Sequence, residues 1–154
     1  MNRVIFIVIV ALSFGSCDQE LTTMEQLAHD ISVIDKYLSD NNIVAQTDPS
    51  GIRYVVTTEG SGPKPILSNT IVVHYTGRLL DGTVFDITDR NQVPRSFRLS
   101  QLIEGWQIAF PLIPEGSTFD LYIPSGLGYG KNGNSVVPPN SILVFEDVAL
   151  IQVK

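Results

Sequence analysis

The sequence predicts an α+β fold, a curved antiparallel sheet of about five strands wrapped around one short helix and preceded by a helical arm. Three observations carry this. From Gly51 onward, apolar and polar residues alternate in runs separated by glycine- and proline-bearing loops, the pattern of strands with one covered face. That half holds a single helical candidate, "EGWQIAFPLIPEG", and Pro111 must end it after about two turns, because proline lacks an N–H and its ring clashes with the preceding turn. Ahead of it, Met24, Leu27, Ile31, Ile34 and Leu38 step by 3, 4, 3 and 4, one apolar stripe of a helix over Thr23–Asp40.

The N-terminus is a different kind of segment. After Asn2-Arg3, "VIFIVIVALSF" supplies an apolar run of 11 residues, too short for a bilayer core that needs roughly 20. Residues 1–16 therefore read as a secretory signal. Cys17, the only cysteine, follows Gly15 and Ser16, and the arrangement resembles the lipobox of bacterial lipoproteins, with Phe14 where leucine is usual. The alternative is ordinary signal cleavage that leaves a free Cys17 thiol. Residues 17–50 are then a lipid-anchored linker and the amphipathic helix, capped by Thr22 or Thr23 with Glu25 or Gln26 nearby. The stripe has three possible uses: packing on its own domain, a weak dimer contact through residues 24–38, or a solvated spacer. Because it lies outside the stretch with the chemistry-bearing motifs, it is expected to be dispensable for chemistry.

The third unit is residues 51–154. "IRYVVTT", "TIVVHYTGRL", "SFRLS", "STFDLYIP" and "SILVFEDVALIQV" read as its strands, and Asp81-Gly82 makes a tight turn in "VVHYTGRLLDGTVFD". "LGYGKNGNSVVPPN" is a glycine- and proline-rich loop of 14 residues, long enough to suggest function.

Composition excludes several classes. A net charge of −6 and the lack of a basic stripe argue against nucleic-acid binding. The two histidines, His29 and His74, have no neighbouring cysteine with which to build a metal cluster, so no metal or other cofactor is expected. No nucleophile elbow or P-loop occurs, and "GLGYG" lacks the strand–glycine–helix context of a dinucleotide site. What remains is chemistry without a covalent intermediate, a metal or a strong base. Rotation about an X-Pro amide fits. Its barrier of about 18–20 kcal/mol comes from amide resonance, and the twisted state has a less polar carbonyl. A dry aromatic pocket disfavours the dipolar planar amide more than the twisted one, while a few fixed donors orient the peptide.

"VHYTGRLLDGTVFD", "LIEGWQIAF", "IPSGLGYG" and "VVPPNSILVFE" stand in an order and spacing that resemble the FKBP-type peptidyl-prolyl isomerases, immunophilins that bind macrolides. The resemblance covers residues 51–154, and the arm with its lipobox is similar to lipoprotein members of the Bacteroidetes type. It implies a pocket walled by Tyr75, Phe85 and Phe145, with Trp106 as the floor under a prolyl ring. Leu102 and Ile103 match the aliphatic pair before that tryptophan. The Ile103 N–H and the Tyr129 hydroxyl match groups that bond substrate or drug carbonyls. Asp86 matches an acidic pocket residue held by the tyrosine equivalent to Tyr75 and by an arginine, here expected to be Arg90. Val136 and Val137 match the aliphatic pair of a flap loop.

Several departures from the family pattern carry expectations of their own. Arg90 comes one residue early, and Pro94-Arg95 stands where many members have an aromatic, so that wall should be more polar or more open. Asn134 replaces a histidine of some members, in a flap one residue short. "VFEDVAL" has one residue too many for a regular strand, which predicts a β-bulge near Glu146-Asp147. The implied function is an isomerase tethered in the cell envelope, facing the periplasm and acting on proline-containing clients during folding of exported proteins. Macrolides such as rapamycin are the implied ligands. The competing reading is a non-catalytic module that holds proline segments or a partner subunit, since every pocket residue would also serve binding.

Overall fold

Thr22 begins the first element. In the computed structural model, which describes residues 21–88 and 93–154, its hydroxyl accepts from Glu25 N, while the Glu25 carboxylate accepts from Thr22 N at 2.8 Å. This capping box satisfies donors that the first turn leaves unpaired and starts α1, Thr23–Asp40. The proposed signal, Cys17 and Arg90 lie outside the described residues.

One antiparallel sheet follows, of β1 (Gln46–Thr47), β2 (Arg53–Thr58), β3 (Thr70–Leu79), β4 (Val84–Ile87), β5 (Arg95–Arg98), β6 (Thr118–Ile123) and β7 (Leu143–Val153). The order is β1-β2-β6-β7-β3-β4, and β5 pairs with the first half of β3 while β4 pairs with its second half. The five predicted strands are present. The additions are the two-residue β1, too short to leave a periodic signal, and β4, the second arm of the hairpin. The fifth strand is shorter than "SFRLS", because Leu99–Gln101 turns into a 3₁₀ helix. The β7 bulge is where the extra residue predicts it. Thr76 pairs with Glu146 but His74 with Ala149, and Asp147 takes a positive φ of 52°.

The short helix α2, Glu104–Ala109, lies on the concave face, and Pro111 closes it into a 3₁₀ turn over Phe110–Leu112. Gly105 permits this approach, since a Cβ there would stand 2.5 Å from the Ile123 side chain. Alternation along β6 and β7 divides two cores. Phe119, Leu121, Ile123, Leu143 and Phe145 point inward with Trp106 and Phe110; Tyr122, Ile142 and Val144 point outward.

Helix α1 covers that outer face. Ile34 and Leu38 are buried against Tyr122, Ile142 and Val144. Polar bonds fix it at two more points: Arg53 Nε and Nη2 donate to the Asp35 carboxylate at 2.8 and 3.1 Å, and Ser125 donates to Asp30. Of the three uses the stripe allowed, packing on its own domain accounts for Ile34 and Leu38. Met24 remains 76% exposed. The expectation that the arm is dispensable concerns chemistry alone; in the fold the helix supplies Ile34 and Leu38, two of the five buried residues of the outer cluster.

Candidate active site

The hairpin of β3 and β4 begins the site. Thr83 N donates to Asp81 Oδ1 at 2.8 Å and Gly82 takes a φ of 88°, so the turn is tight and sets the register Gly77↔Asp86. Gly77 leaves room for rings: a Cβ there would stand 2.7 Å from the Phe85 ring. Beside it, the Tyr75 hydroxyl donates to Asp86 Oδ2 at 2.6 Å. Thr88 secures the same corner, its hydroxyl accepting from Tyr75 N at 2.7 Å.

Trp106, on α2, forms the base. It is 3% exposed, and Tyr75 and Phe145 meet it edge-on with centroids at 5.1 and 5.0 Å. Phe110 lies behind it at 4.8 Å, and Phe85 packs edge-on against Phe145 at 5.6 Å. Edge-to-face pairs of this kind hold rings in fixed orientations. The Trp106 Nε1 is buried without a hydrogen-bond partner among the described residues, so the indole sits in an apolar setting. Together these rings, with Asp86, Arg95, Phe97, Leu102, Ile103 and Tyr129, line a cavity of about 190 Å³.

Among the described residues, Arg95 brings a guanidinium to the site. Its Nη1 donates to both Asp86 oxygens, at 2.9 and 3.1 Å, and to the Tyr75 hydroxyl at 3.1 Å, while Nη2 donates to the Ile87 carbonyl at 3.1 Å. The guanidinium carbon also lies 5.9 Å from the Tyr75 ring centroid. The wall at Arg95 is therefore polar, as its sequence position suggested, and it engages Asp86, the contact expected of Arg90. Burial, then the hydrogen bond to Asp86 and that residue's charge, push the Tyr75 phenol well above its usual range. Tyr75 thus serves as a permanent donor to the carboxylate.

Two further donors belong to residues that line the cavity and have no bond inside the described residues. The Ile103 N–H precedes the first turn of α2, where Ile103 itself is extended (φ −56°, ψ 148°), so no helical partner exists for it. The Tyr129 hydroxyl, on the loop after β6, is the other; burial and then the Asp86 charge raise its pKa. Of the residues singled out from the sequence, Tyr75, Phe85, Asp86, Leu102, Ile103, Trp106, Tyr129 and Phe145 are brought together. Val136 and Val137 stand outside this lining. Val137 is buried in the inner core, and Val136 is exposed, with both backbone N–H groups donating to Asn134 Oδ1. Phe97 and the pairing role of Arg95 escaped the sequence reading. Their signal was the alternation of Arg95 and Phe97, which puts both on the cavity side of β5.

Known proteins share the sequence and fold that carry this cavity. The family model described as FKBP-type peptidyl-prolyl cis-trans isomerase matches residues 62–151. The chain is 44% identical over 107 residues to the outer membrane protein MIP of Legionella longbeachae, covering 69% of this chain and 46% of that protein. It is 40% identical over 121 residues to the FKBP-type 22 kDa peptidyl-prolyl cis-trans isomerase of Escherichia coli, covering 77% and 58%. It thus spans about half the length of these curated relatives. Among solved structures, Escherichia coli FkpA superposes with a TM-score of 0.73 at 38% identity, covering 85% of this chain and 62% of that one. A peptidyl-prolyl isomerase from Pseudomonas syringae superposes at 0.70 with 32% identity, covering 88% and 98%. With the family model matching more than half of its length, the chain belongs to the FKBP-type peptidyl-prolyl cis-trans isomerase family.

Proposed function

We propose that the chain catalyses cis–trans isomerisation of X-Pro bonds in polypeptide clients, and that the cavity over Trp106 is where the prolyl ring sits. The observation that carries this reading is the pair of donors without a bond among the described residues, Ile103 N–H and Tyr129 O–H, on residues that line a largely aromatic cavity beside a carboxylate already held by Tyr75 and Arg95. The ring stacks on the indole, and the two donors hold carbonyls of the peptide on either side of the rotating bond. Water is excluded by Phe85, Phe97 and Phe145, so the planar, dipolar amide loses solvation that the twisted amide needs less. Asp86, fixed by its hydrogen bonds, presents a constant field to the rotating carbonyl. No bond is made or broken, so the rate gain comes from differential binding alone. Macrolides that present a pipecolyl or prolyl-like ring would occupy the same place.

A protease-coupled isomerisation assay tests the reading. Asp86→Leu and Tyr129→Phe should each lower kcat/KM on the order of 10-fold, about 1.4 kcal/mol, while melting cooperatively near wild type. If wild-type protein binds a proline peptide without accelerating its isomerisation, the chain is a binding module.

The same reading extends to location. We infer that Cys17 carries lipid and tethers the domain in the cell envelope, facing exported clients; one relative is named an outer membrane protein. Among the described residues, no helix is long and apolar enough to cross a membrane. Cys17→Ser should move the protein to the soluble fraction in detergent-free buffer; pelleting after a high-salt wash would remove the lipid anchor from the proposal.

A further inference from the structure

Asp30 stands out on α1. It is 1% exposed, although a carboxylate taken out of water costs several kcal/mol unless its oxygens are bonded. Its Oδ1 accepts from Gln26 Nε2 at 2.7 Å and lies 3.5 Å from His29 Nδ1. Its Oδ2 accepts from Ser125 N at 2.7 Å and from the Ser125 hydroxyl at 2.6 Å. Ser125 is itself fully buried and opens the 3₁₀ turn Ser125–Leu127, whose next residues are Gly128 and Tyr129.

The rest of that turn is bonded to itself. Leu127 N donates to Pro124 O and Gly128 N to Ser125 O, both at 3.0 Å. Among the described residues, the hydrogen bonds that tie residues 124–129 to another part of the chain are the two to Asp30. Tyr129 follows this turn and lines the cavity, and its hydroxyl has no hydrogen-bond partner among the described residues. Its placement is therefore set by the turn, and the turn is held from outside by a helix on the opposite face of the sheet.

We propose that Asp30 is a positioning residue for the isomerase site: through Ser125 it fixes the turn that aims the Tyr129 hydroxyl, which makes α1 part of the working site. This rests on the isomerase reading above. A carboxylate with two bonds to one residue fixes both the position and the rotation of that residue, and a misplacement of about 1 Å at a reacting group lowers rates measurably. The position is also protected, because releasing Asp30 from Ser125 leaves a buried charge under-bonded.

The test is a double-mutant cycle on the full chain, with kcat/KM for a proline peptide and the melting midpoint read for every variant. In the wild-type background, Asp30→Asn should lower kcat/KM about 5-fold and Ser125→Ala, which keeps the N–H bond, about 3-fold. In a Tyr129→Phe background the same changes should each cost less than about 1.5-fold, since the hydroxyl they aim is gone. An equal fold-loss in both backgrounds would make Asp30 a purely structural anchor and overturn the proposal. So would wild-type kcat/KM in Ser125→Ala, the variant that decides if Asp30→Asn does not fold. A wild-type chain with no isomerase activity would instead remove the reading on which the proposal stands.

Discussion

The two faces of the sheet are held by different physics. The inner face is closed mainly by rings and aliphatic side chains, with Phe119, Leu121 and Ile123 in one cluster with Trp106 and Phe110, and its side-chain hydrogen bonds gather at the cavity, among Tyr75, Asp86 and Arg95. The outer face has a smaller apolar cluster, Ile34, Leu38, Tyr122, Ile142 and Val144, flanked by the carboxylates of Asp30 and Asp35 bonded to Ser125 and to Arg53. Burial of area is non-directional, so the inner face can be opened on one side into a cavity and still cohere. Hydrogen bonds are directional, so the outer face fixes where α1 sits and, through it, a loop of the site. The face away from the cavity carries the tie to the turn that leads to Tyr129.

The largest test of this contrast removes the outer layer. Deleting residues 18–42 would strip Ile34 and Leu38 from the sheet and expose Tyr122 and Val144. Burial of two such side chains accounts for about 3–6 kcal/mol, a large share of a typical domain's stability. Urea unfolding of the truncated chain should show that loss, with a lower midpoint and reduced kcat/KM. An unchanged midpoint would mean that the sheet closes its outer face without the helix.

The inner face should lose less from one substitution. Trp106→Leu leaves a partial void beneath the cavity and should cost about 2–4 kcal/mol, by analogy with large-to-small core changes. Trp106 is the only tryptophan. Its unpartnered, buried indole should emit at short wavelength and respond saturably to rapamycin over the range that inhibits isomerisation. Inhibition without a fluorescence change would place the macrolide away from this floor.

Much of this was legible because it depends on local order. The bounds of α1 follow from a capping residue and a periodic stripe, the end of α2 from Pro111, and the β7 bulge from one surplus residue. The pocket rings were legible through their motifs. Arg95 was harder, since the local pattern gives a partly exposed charged residue no sign of its partner. Asp30 was hardest. It lies three residues after Leu27 and four before Ile34, on the stripe itself, yet hydropathy assigns a carboxylate to water. What keeps it buried is Ser125, 95 residues away, and no local pattern encodes such a pairing. Packing on its own domain was among the uses the stripe allowed, but the tie from the helix to the turn before Tyr129 was illegible for the same reason.

The smallest effect lies at Asp120, which shares the outer side of β6 with Tyr122. Its Oδ1 accepts from Asp147 N at 2.8 Å, at the bulge. Burial raises the Asp120 pKa, as do the charges of Asp147 and Glu146, while the Asp147 N–H opposes them. A carboxyl with a folded pKa above its unfolded value binds its proton more tightly in the native state. Below the unfolded value, near 3.8, it is protonated in both states and costs nothing. As pH rises through the folded pKa it ionises in place, and the native state loses stability relative to the unfolded one. Asp120→Asn keeps an oxygen for the Asp147 N–H and carries no charge at any pH. At pH 7 the variant should therefore melt higher than wild type, by about 1–3 °C, because solvent screening of a half-exposed group keeps the gain small. The difference should shrink toward zero as pH falls to 3.5. A gain that persists there would assign the effect to packing or to the unfolded chain, and the outer face would then tolerate its buried charge without penalty.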